Sequence, residues 1–386
     1  MVDERTVGIG VIGIEHLHVF EIVDGLLAAG AHAVAHSSGS YSTGNDSAGG
    51  HSLVEVYSGW QPASQEMTID EVLDDERIDL VVVCGVPAER SAVTCAALRA
   101  GKDVVSAKPG VTTAEQLAEV RAAMAASGRR WWVLFTERFA NPAMLRAVAL
   151  ARSGAVGDVV AVEGSAPHRL NPDDRPEWCF DAERSGGILV DLGTHQIDQF
   201  LAVTEADPAL VTVVSAAVGS VKDWGSDERR KGFQDIGELT LQGPGVRGHH
   251  RVDFLEPDGF PTWGDTRLVI TGTDGRLEVR IPVDDDGGHV PASVWVTDHV
   301  GVRRDPCTGE PTWARDLLSD MVDGGERLMS RRHPFDVAEL VLEAAAAATG
   351  WGGGDPAPVG PAPPGEGAQG VDVTPERSAA SAGGFS

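Results

Sequence analysis

"GVIGIEHLHVFEIVDGLL" (residues 10–27) begins as a dinucleotide-binding turn and then departs from one. Gly10 and Gly13 stand where a Gly-rich fingerprint puts glycines. Glu15 and His18 occupy the later positions, where further glycines belong. The apolar run before them, "TVGIGVIG" (6–13), predicts a buried parallel strand. Val19, Phe20, Ile22, Val23, Leu26 and Leu27 predict a helix over 18–29 that ends at Gly30. Strand, glycine turn and helix together still offer a helix N-terminus to a diphosphate. A carboxylate at Glu15 is tolerable there if it points away or pairs with His16, His18 or Arg90.

The alternation continues outward. "AHAVAH" (31–36), "IDLVVVC" (78–84), "KDVVSA" (102–107) and "RWWVLF" (130–135) read as further buried strands. Helices are expected at 91–101 and 112–128, the second capped by Thr113 with Gln116 as its capping-box partner. This is the pattern of a doubly wound parallel sheet. After residue 150 the segments lengthen and alternate apolar with polar: 158–164, 209–219, 236–243, 247–254, 266–272, 276–281 and 293–298. Asp274–Gly275 marks a hairpin between two of them. Helices at about 313–323 and 335–349 are expected to close this second unit. The fold expected is α/β: a Rossmann domain over 1–137, then an α+β domain with a mostly antiparallel sheet over 138–351. Residues 37–52 hold ten Ser or Gly in sixteen, and residues 352–386 hold fifteen Gly or Pro in thirty-five. Both compositions predict disorder, the first near any bound adenosine.

The net charge of −27 over 386 residues implies no basic surface for nucleic acid or an anionic membrane. Cys84, Cys95, Cys179 and Cys307 form no C-x-x-C pair and no metal-ligand spacing, so no metal is expected and a reduced, cytoplasmic setting fits. The first residues carry acids rather than the basic start of a signal peptide, and no apolar run approaches a membrane span.

Two stretches carry chemistry. In "SGGILVDLGTHQIDQFL" (185–201), Asp191, His195 and Asp198 would share one face of a helix. A His beside a carboxylate is a general acid/base candidate titrating near neutrality, although a solvated amphipathic face would show the same spacing. In "SAKPGVTT" (106–113), Lys108 lies at the carboxyl end of a predicted strand, where open α/β sheets bind ligands. A lysine there can stabilise a developing alkoxide, and a solvated charge is the plain alternative.

Taken together, the K-P turn and the "GG-x-x-x-D-x-G-x-H-x-x-D" stretch resemble the glucose–fructose oxidoreductase / inositol dehydrogenase (Gfo/Idh/MocA) family over roughly residues 6–350. "TDGRLEV" and "DVAELVLEAA" (336–345) are similar to it as well. The resemblance implies an NAD- or NADP-dependent dehydrogenase or reductase acting on a sugar, inositol or similar polyol. It implies Lys108, Asp191 and His195 as catalytic residues. Gly13, Ile14, Glu15, His16, Ser37, Ser38 and Lys108 would meet the cofactor. Arg138, His168, Arg169, Arg175 and Trp178 would meet the substrate with Asp191 and His195, and Asn141 would border the pocket. A homodimer or homotetramer through the second-domain sheet is implied too. Two departures stand out: Ala107 replaces the Glu of E-K-P, and "HSSG" (36–39) offers neither an acid for a ribose 2′-hydroxyl nor an Arg for a 2′-phosphate. The family also admits ligand sensors without turnover, and enzymes that use bound NAD transiently for glycoside cleavage or elimination.

Overall fold

A computed structural model describes residues 6–38, 53–224, 230, 232–280, 292–307 and 309–351. The predicted tail and most of the Ser/Gly-rich stretch lie outside these residues. The first layer is built from β1 (Gly8–Ile14), α1 (His18–Ala28), β2 (His32–Ser37), α2 (Leu53–Trp60), β3 (Gln65–Glu66), α3 (Ile69–Asp74), β4 (Leu80–Cys84), α4 (Arg90–Arg99), β5 (Asp103–Ala107), α5 (Ala114–Ser127) and β6 (Trp131–Leu134). Its strands run parallel in the order β3-β2-β1-β4-β5-β6. Every residue of β1, β4, β5 and β6 is buried, as expected of strands covered on both faces. The order reverses between β1 and β4, and ligands of open α/β sheets bind at that point. The Thr113 cap is present, but Gln116 Oε1 accepts the N–H of Thr112 at 2.8 Å rather than that of the cap. Its Nε2 donates to Ala88 O at 2.8 Å, tying α5 to the turn after β4.

The chain then crosses through α6 (Thr136–Phe139) and α7 (Pro142–Arg152) to β7 (Val159–Pro167), α8 (Ala182–Ser185), α9 (Thr194–Thr204), β8 (Thr212–Gly219), β9 (Ile236–Gly243), β10 (Val246–Asp253), β11 (Arg267–Gly272), β12 (Gly275–Arg280), β13 (Ser293–Asp298) and β14 (Val302–Pro306). α10 (Trp313–Asp323), α11 (His333–Ala347) and β15 (Thr349–Gly350) follow. The second sheet has the order β14-β13-β12-β11-β7-β10-β9-β8-β15. It is antiparallel except at β7/β10 and β8/β15. Alternate residues of β9 and β10 are buried beneath helices, and the other face is open. The hairpin at Asp274–Gly275 joins β11 to β12. α10 does not close the second sheet. It lies on α1, with the Trp313 ring so close to Gly25 that a side chain there would collide with it.

Candidate active site

At the switch point, Gly13 has φ +77°, and a Cβ there would fall 2.5 Å from the Gly85 Cα. Only glycine allows the β1 turn to pass this close over the end of β4. The backbone N–H groups of Glu15 and His16 both donate to Cys84 O, which closes the turn onto that strand. The Glu15 side chain folds back over this glycine floor, with Oε2 buried and unpartnered. Burial first, and the Glu89 charge second, push its carboxyl up to about 7. Arg90 opposes that shift but does not bind Glu15. Arg90 Nε donates to Gly85 O and Nη1 to the carbonyls of Ala107, Lys108 and Pro109 at 2.6–3.0 Å, where they tie the ends of β4 and β5 together. His16 Nδ1 accepts the His18 N–H at 3.2 Å, and the two rings meet edge to face. Burial holds both histidines well below 6.5, so they are neutral.

Lys108 leaves the end of β5 and reaches the second unit. Its Nζ donates to Asp191 Oδ1 at 2.7 Å and to Asp191 O at 3.1 Å. Asp191 sits in a π-helical turn, Leu189–Gly193, immediately before α9. Burial raises its carboxyl, but the Lys108 charge and hydrogen bond, with Arg175 and His168, outweigh burial and hold it below the usual range. His195, in the first turn of α9, is buried with Nδ1 unpartnered. Desolvation, then the charges of Lys108, His18 and His168, keep it well below 6.5. A neutral imidazole can accept a proton at pH 7. The acid limb of its titration is displaced to lower pH than the near-neutral limb expected from the sequence.

The expected common face of Asp191, His195 and Asp198 is split. The π turn adds a residue to the helical repeat, and Asp198 turns to a different partner. Arg138 donates to both its oxygens, at 2.7 and 2.5 Å, and His333 Nε2 lies 2.6 Å from Oδ1. Arg138 is therefore committed to a buried brace, because a buried carboxylate needs a forked cation. Asn141 caps α7 by accepting the N–H groups of Ala143 and Met144. Arg169 is tied to the carbonyls of Phe260 and Thr262. Arg175 holds the carbonyls of Leu170 and Arg169, and its charge acts on Asp191 and His16. Trp178, expected against substrate, stacks on His16 at 6.1 Å. It thus covers the glycine turn from the second unit. His168 donates Nδ1–H to Ala166 O at 3.1 Å and turns Nε2 to Glu137 Oε1 at 3.5 Å. Burial, then the Lys108 charge, lower its pKa to about 3. Burial raises the Glu137 carboxyl to about 7, and Gln196 and Gln199 donate to its Oε2. Glu137 is absent from the residues singled out by sequence, since nothing in its spacing marks it. At the end of β2, His36 is held by Ser64 and Ser58, Ser37 is buried, and Ser38 Oγ donates to Glu66 Oε1 at 3.4 Å. Ile14, the last residue of β1, is buried in the core.

Residues 6–135 match the oxidoreductase family with an NAD-binding Rossmann fold, and residues 144–278 match the GFO/IDH/MocA C-terminal domain. The chain belongs to the Gfo/Idh/MocA oxidoreductase family. Among relatives, 1,5-anhydro-D-fructose reductase of Ensifer adhaerens is 27% identical over 54% of this chain and 59% of its own length. The scyllo-inositol 2-dehydrogenase (NADP(+)) of Bacillus subtilis is 31% identical over 34% of this chain and 37% of its own. This chain thus spans less than two thirds of the length of these curated relatives. An oxidoreductase structure from Erwinia carotovora atroseptica has TM-score 0.80 and 30% identity, covering 89% of this chain and 99% of that one. A 3-ketoreductase of Actinomadura kijaniata, in complex with NADP and TDP-benzene, has TM-score 0.69 at 17% identity over 89% of this chain and 98% of its own, and shows the shared fold alone.

The Gfo/Idh/MocA fold implies a nicotinamide dinucleotide, and the residues at this edge fit one. The Gly13–Gly85 approach leaves a floor of bare backbone with the Glu15 carboxyl lying over it. Around it, His18 Nδ1, Arg90 Nη2, Trp178 Nε1 and His195 Nδ1 are buried without protein partners, as polar groups kept for a ligand would be. Gly13, Glu15, His16 and Lys108 are the residues that would border it.

Proposed function

We propose that the protein moves hydride between NAD or NADP and a carbinol or carbonyl carbon of a sugar, inositol or related ring. The Lys108–Asp191 bridge, joining the strand-end edge of the first sheet to the helix that carries His195, is the observation that carries this reading. The bound nicotinamide would supply or accept the hydride. In the oxidising direction, neutral His195 takes the hydroxyl proton, and the Lys108 ammonium stabilises the charge that develops on oxygen. Asp191 fixes the ammonium in place. In the reducing direction the protonated imidazole returns the proton. Four free cysteines accord with the cytoplasm, and the open face of the nine-stranded sheet is the surface for a homodimer or homotetramer.

Glu15 over the glycine floor favours a second reading, a ligand sensor of this fold without turnover. Calorimetry with NAD, NADH, NADP and NADPH, paired with reduced-nicotinamide absorbance on a sugar and inositol panel, separates the two. His195→Ala should lower kcat roughly 10²–10⁴-fold with cofactor affinity unchanged. Lys108→Ala combined with it should lose less than the product of the single losses, because the two groups act together. Cofactor binding without turnover on any substrate of the panel would favour the sensor.

A further inference from the structure

Glu137 is a carboxyl enclosed in α6, where the chain crosses from the first sheet to the second, and its side chain is 3% exposed. Oε2 accepts from Gln196 Nε2 at 3.3 Å and from Gln199 Nε2 at 3.1 Å. Both donors belong to α9, Gln196 beside His195 and Gln199 one turn on. Oε1 has no N–H donor. It faces His168 Nε2 at 3.5 Å, just past the end of β7. Trp263 lies against the His168 ring with centroids 4.6 Å apart, and His168 Nδ1 is 3.1 Å from Ala166 O.

The hydrogen bonds fix how many protons this contact holds. A carbonyl only accepts, so Ala166 O places a proton on His168 Nδ1. A neutral imidazole protonated there presents a lone pair at Nε2. An ionised Glu137 would present another, and two buried acceptors would face each other unsatisfied, which is costly. One proton between Oε1 and Nε2 satisfies both atoms. The gap of 3.5 Å is about half an ångström longer than a formed bond of this kind, within reach of a small rotation of the carboxyl. Burial pushes Glu137 up to about 7 and His168 down to about 3, so the carboxyl keeps the proton. Charges face this contact from several elements. Lys108 at the end of β5 favours ionisation, and Asp191 in the π turn and Asp198 in α9 oppose it. Arg138, the neighbour in α6, is taken by Asp198, with His333 of α11 on the same carboxylate. His18 of α1, His195 of α9 and His250 of β10 are held neutral by burial. An ionised Glu137 would therefore be a third carboxylate beside Asp191 and Asp198, drawing on the Lys108 charge.

Resting on the hydride-transfer reading above, we propose that Glu137 is a positioning residue of the reaction: in the working state its carboxyl is protonated and donates to His168 Nε2, which fixes the imidazole and leaves the Lys108 charge to Asp191 and the reacting oxygen. Both His168 nitrogens are then taken within the protein, so neither is left for a substrate. Loss of the proton puts a carboxylate in range of Lys108 and opposes the negative charge that builds on the reacting oxygen. Glu137 thus acts through His168 and Lys108 rather than on the substrate itself.

The test follows kcat of the full chain from pH 6 to pH 8 on a sugar or inositol of the panel that is turned over, with cofactor and substrate saturating so that the Glu15 charge does not enter through cofactor affinity. The natural chain should lose about tenfold in kcat over this range, as one group titrating at about 7 dictates. Glu137→Gln can still donate to His168 and accept from Gln196 and Gln199, so it should hold its pH 6 rate to pH 8. Glu137→Met can do neither and should be slow at both. It also serves as the second variant should Glu137→Gln fail to fold, since either substitution must abolish the slope. A slope that survives in the variants, or a Glu137→Met chain as fast as the natural one at pH 6, overturns the proposal while leaving hydride transfer in place. A second readout needs no turnover. Infrared difference spectra of the natural chain against either variant should show a carboxylic-acid C=O band at pH 6 that fades by pH 8. No such band at pH 6 overturns the proposal, whether or not any compound is turned over. The band together with turnover of no compound supports the proton on Glu137 and removes the hydride-transfer reading instead.

Discussion

Two buried ion pairs reach the α9 region, Lys108 from the end of β5 and Arg138 from α6, and they are built differently. Arg138 grips Asp198 with two parallel hydrogen bonds, and His333 closes the remaining side of the carboxylate. The Asp198 side chain is 0% exposed, so nothing from solvent can reach it. Lys108 meets Asp191 through one side-chain bond and one backbone bond, and the Asp191 side chain is 18% exposed at the cleft. An ammonium is a rotatable point charge with three donors, whereas a guanidinium is a planar fork. The first pair is saturated and fixed. The second keeps a donor of Lys108 for an incoming oxygen. The proposed reaction therefore uses the incomplete pair, and the complete one holds the scaffold beneath it.

Breaking the saturated pair should give the largest effect. Asp198→Ala leaves Arg138 buried without a carboxylate, which costs about 3–5 kcal/mol of stability. Urea unfolding reads this directly. Breaking the open pair should act on rate instead. Lys108→Ala should lower kcat about 10²–10³-fold, or about 2.7–4.1 kcal/mol of barrier. Its unfolding free energy should change by less than that of Asp198→Ala, because Asp191 can turn to solvent at the cleft. Equal destabilisation by both substitutions would show that Lys108 is a second brace and would remove it from the chemistry.

The same contrast explains what was legible in the chain. Buried strands, the Gly13 turn and Lys108 at a strand end are local signals, and each is found where the pattern puts it. The Thr68–Glu71 capping box of α3 is equally local and is present in full. The Arg138–Asp198–His333 brace joins residues far apart in sequence, and no spacing announces it. Asp198 was expected on one face with Asp191 and His195 because helical periodicity was carried through a π turn. Asn141 looked like a pocket residue because capping and binding use the same side-chain oxygen. Trp178 was recognised as a binding residue by type, but its partner, His16, became visible only once the two layers met.

Glu15 extends the contrast to a carboxylate with no cation of its own. Arg90 is near enough to lower its pKa, yet its hydrogen bonds go to four strand-end carbonyls. The carboxyl therefore titrates at about 7, and a diphosphate over the Gly13–Gly85 floor binds the protonated form. The sign follows from that. Cofactor binding takes up a proton, so affinity is full below pH 7 and declines above it. For one group with this pKa, the dissociation constant should rise about tenfold from pH 6 to pH 8, or about 1.4 kcal/mol. His16 and His18 do not contribute over this range, since both are held well below 6.5. Glu15→Gln should bind at pH 8 as the natural chain does at pH 6, with no slope between them. Calorimetry in two buffers of different ionisation heat should register the proton uptake in the natural chain and its absence in the variant. A flat profile in the natural chain would mean that Glu15 turns away when the diphosphate arrives.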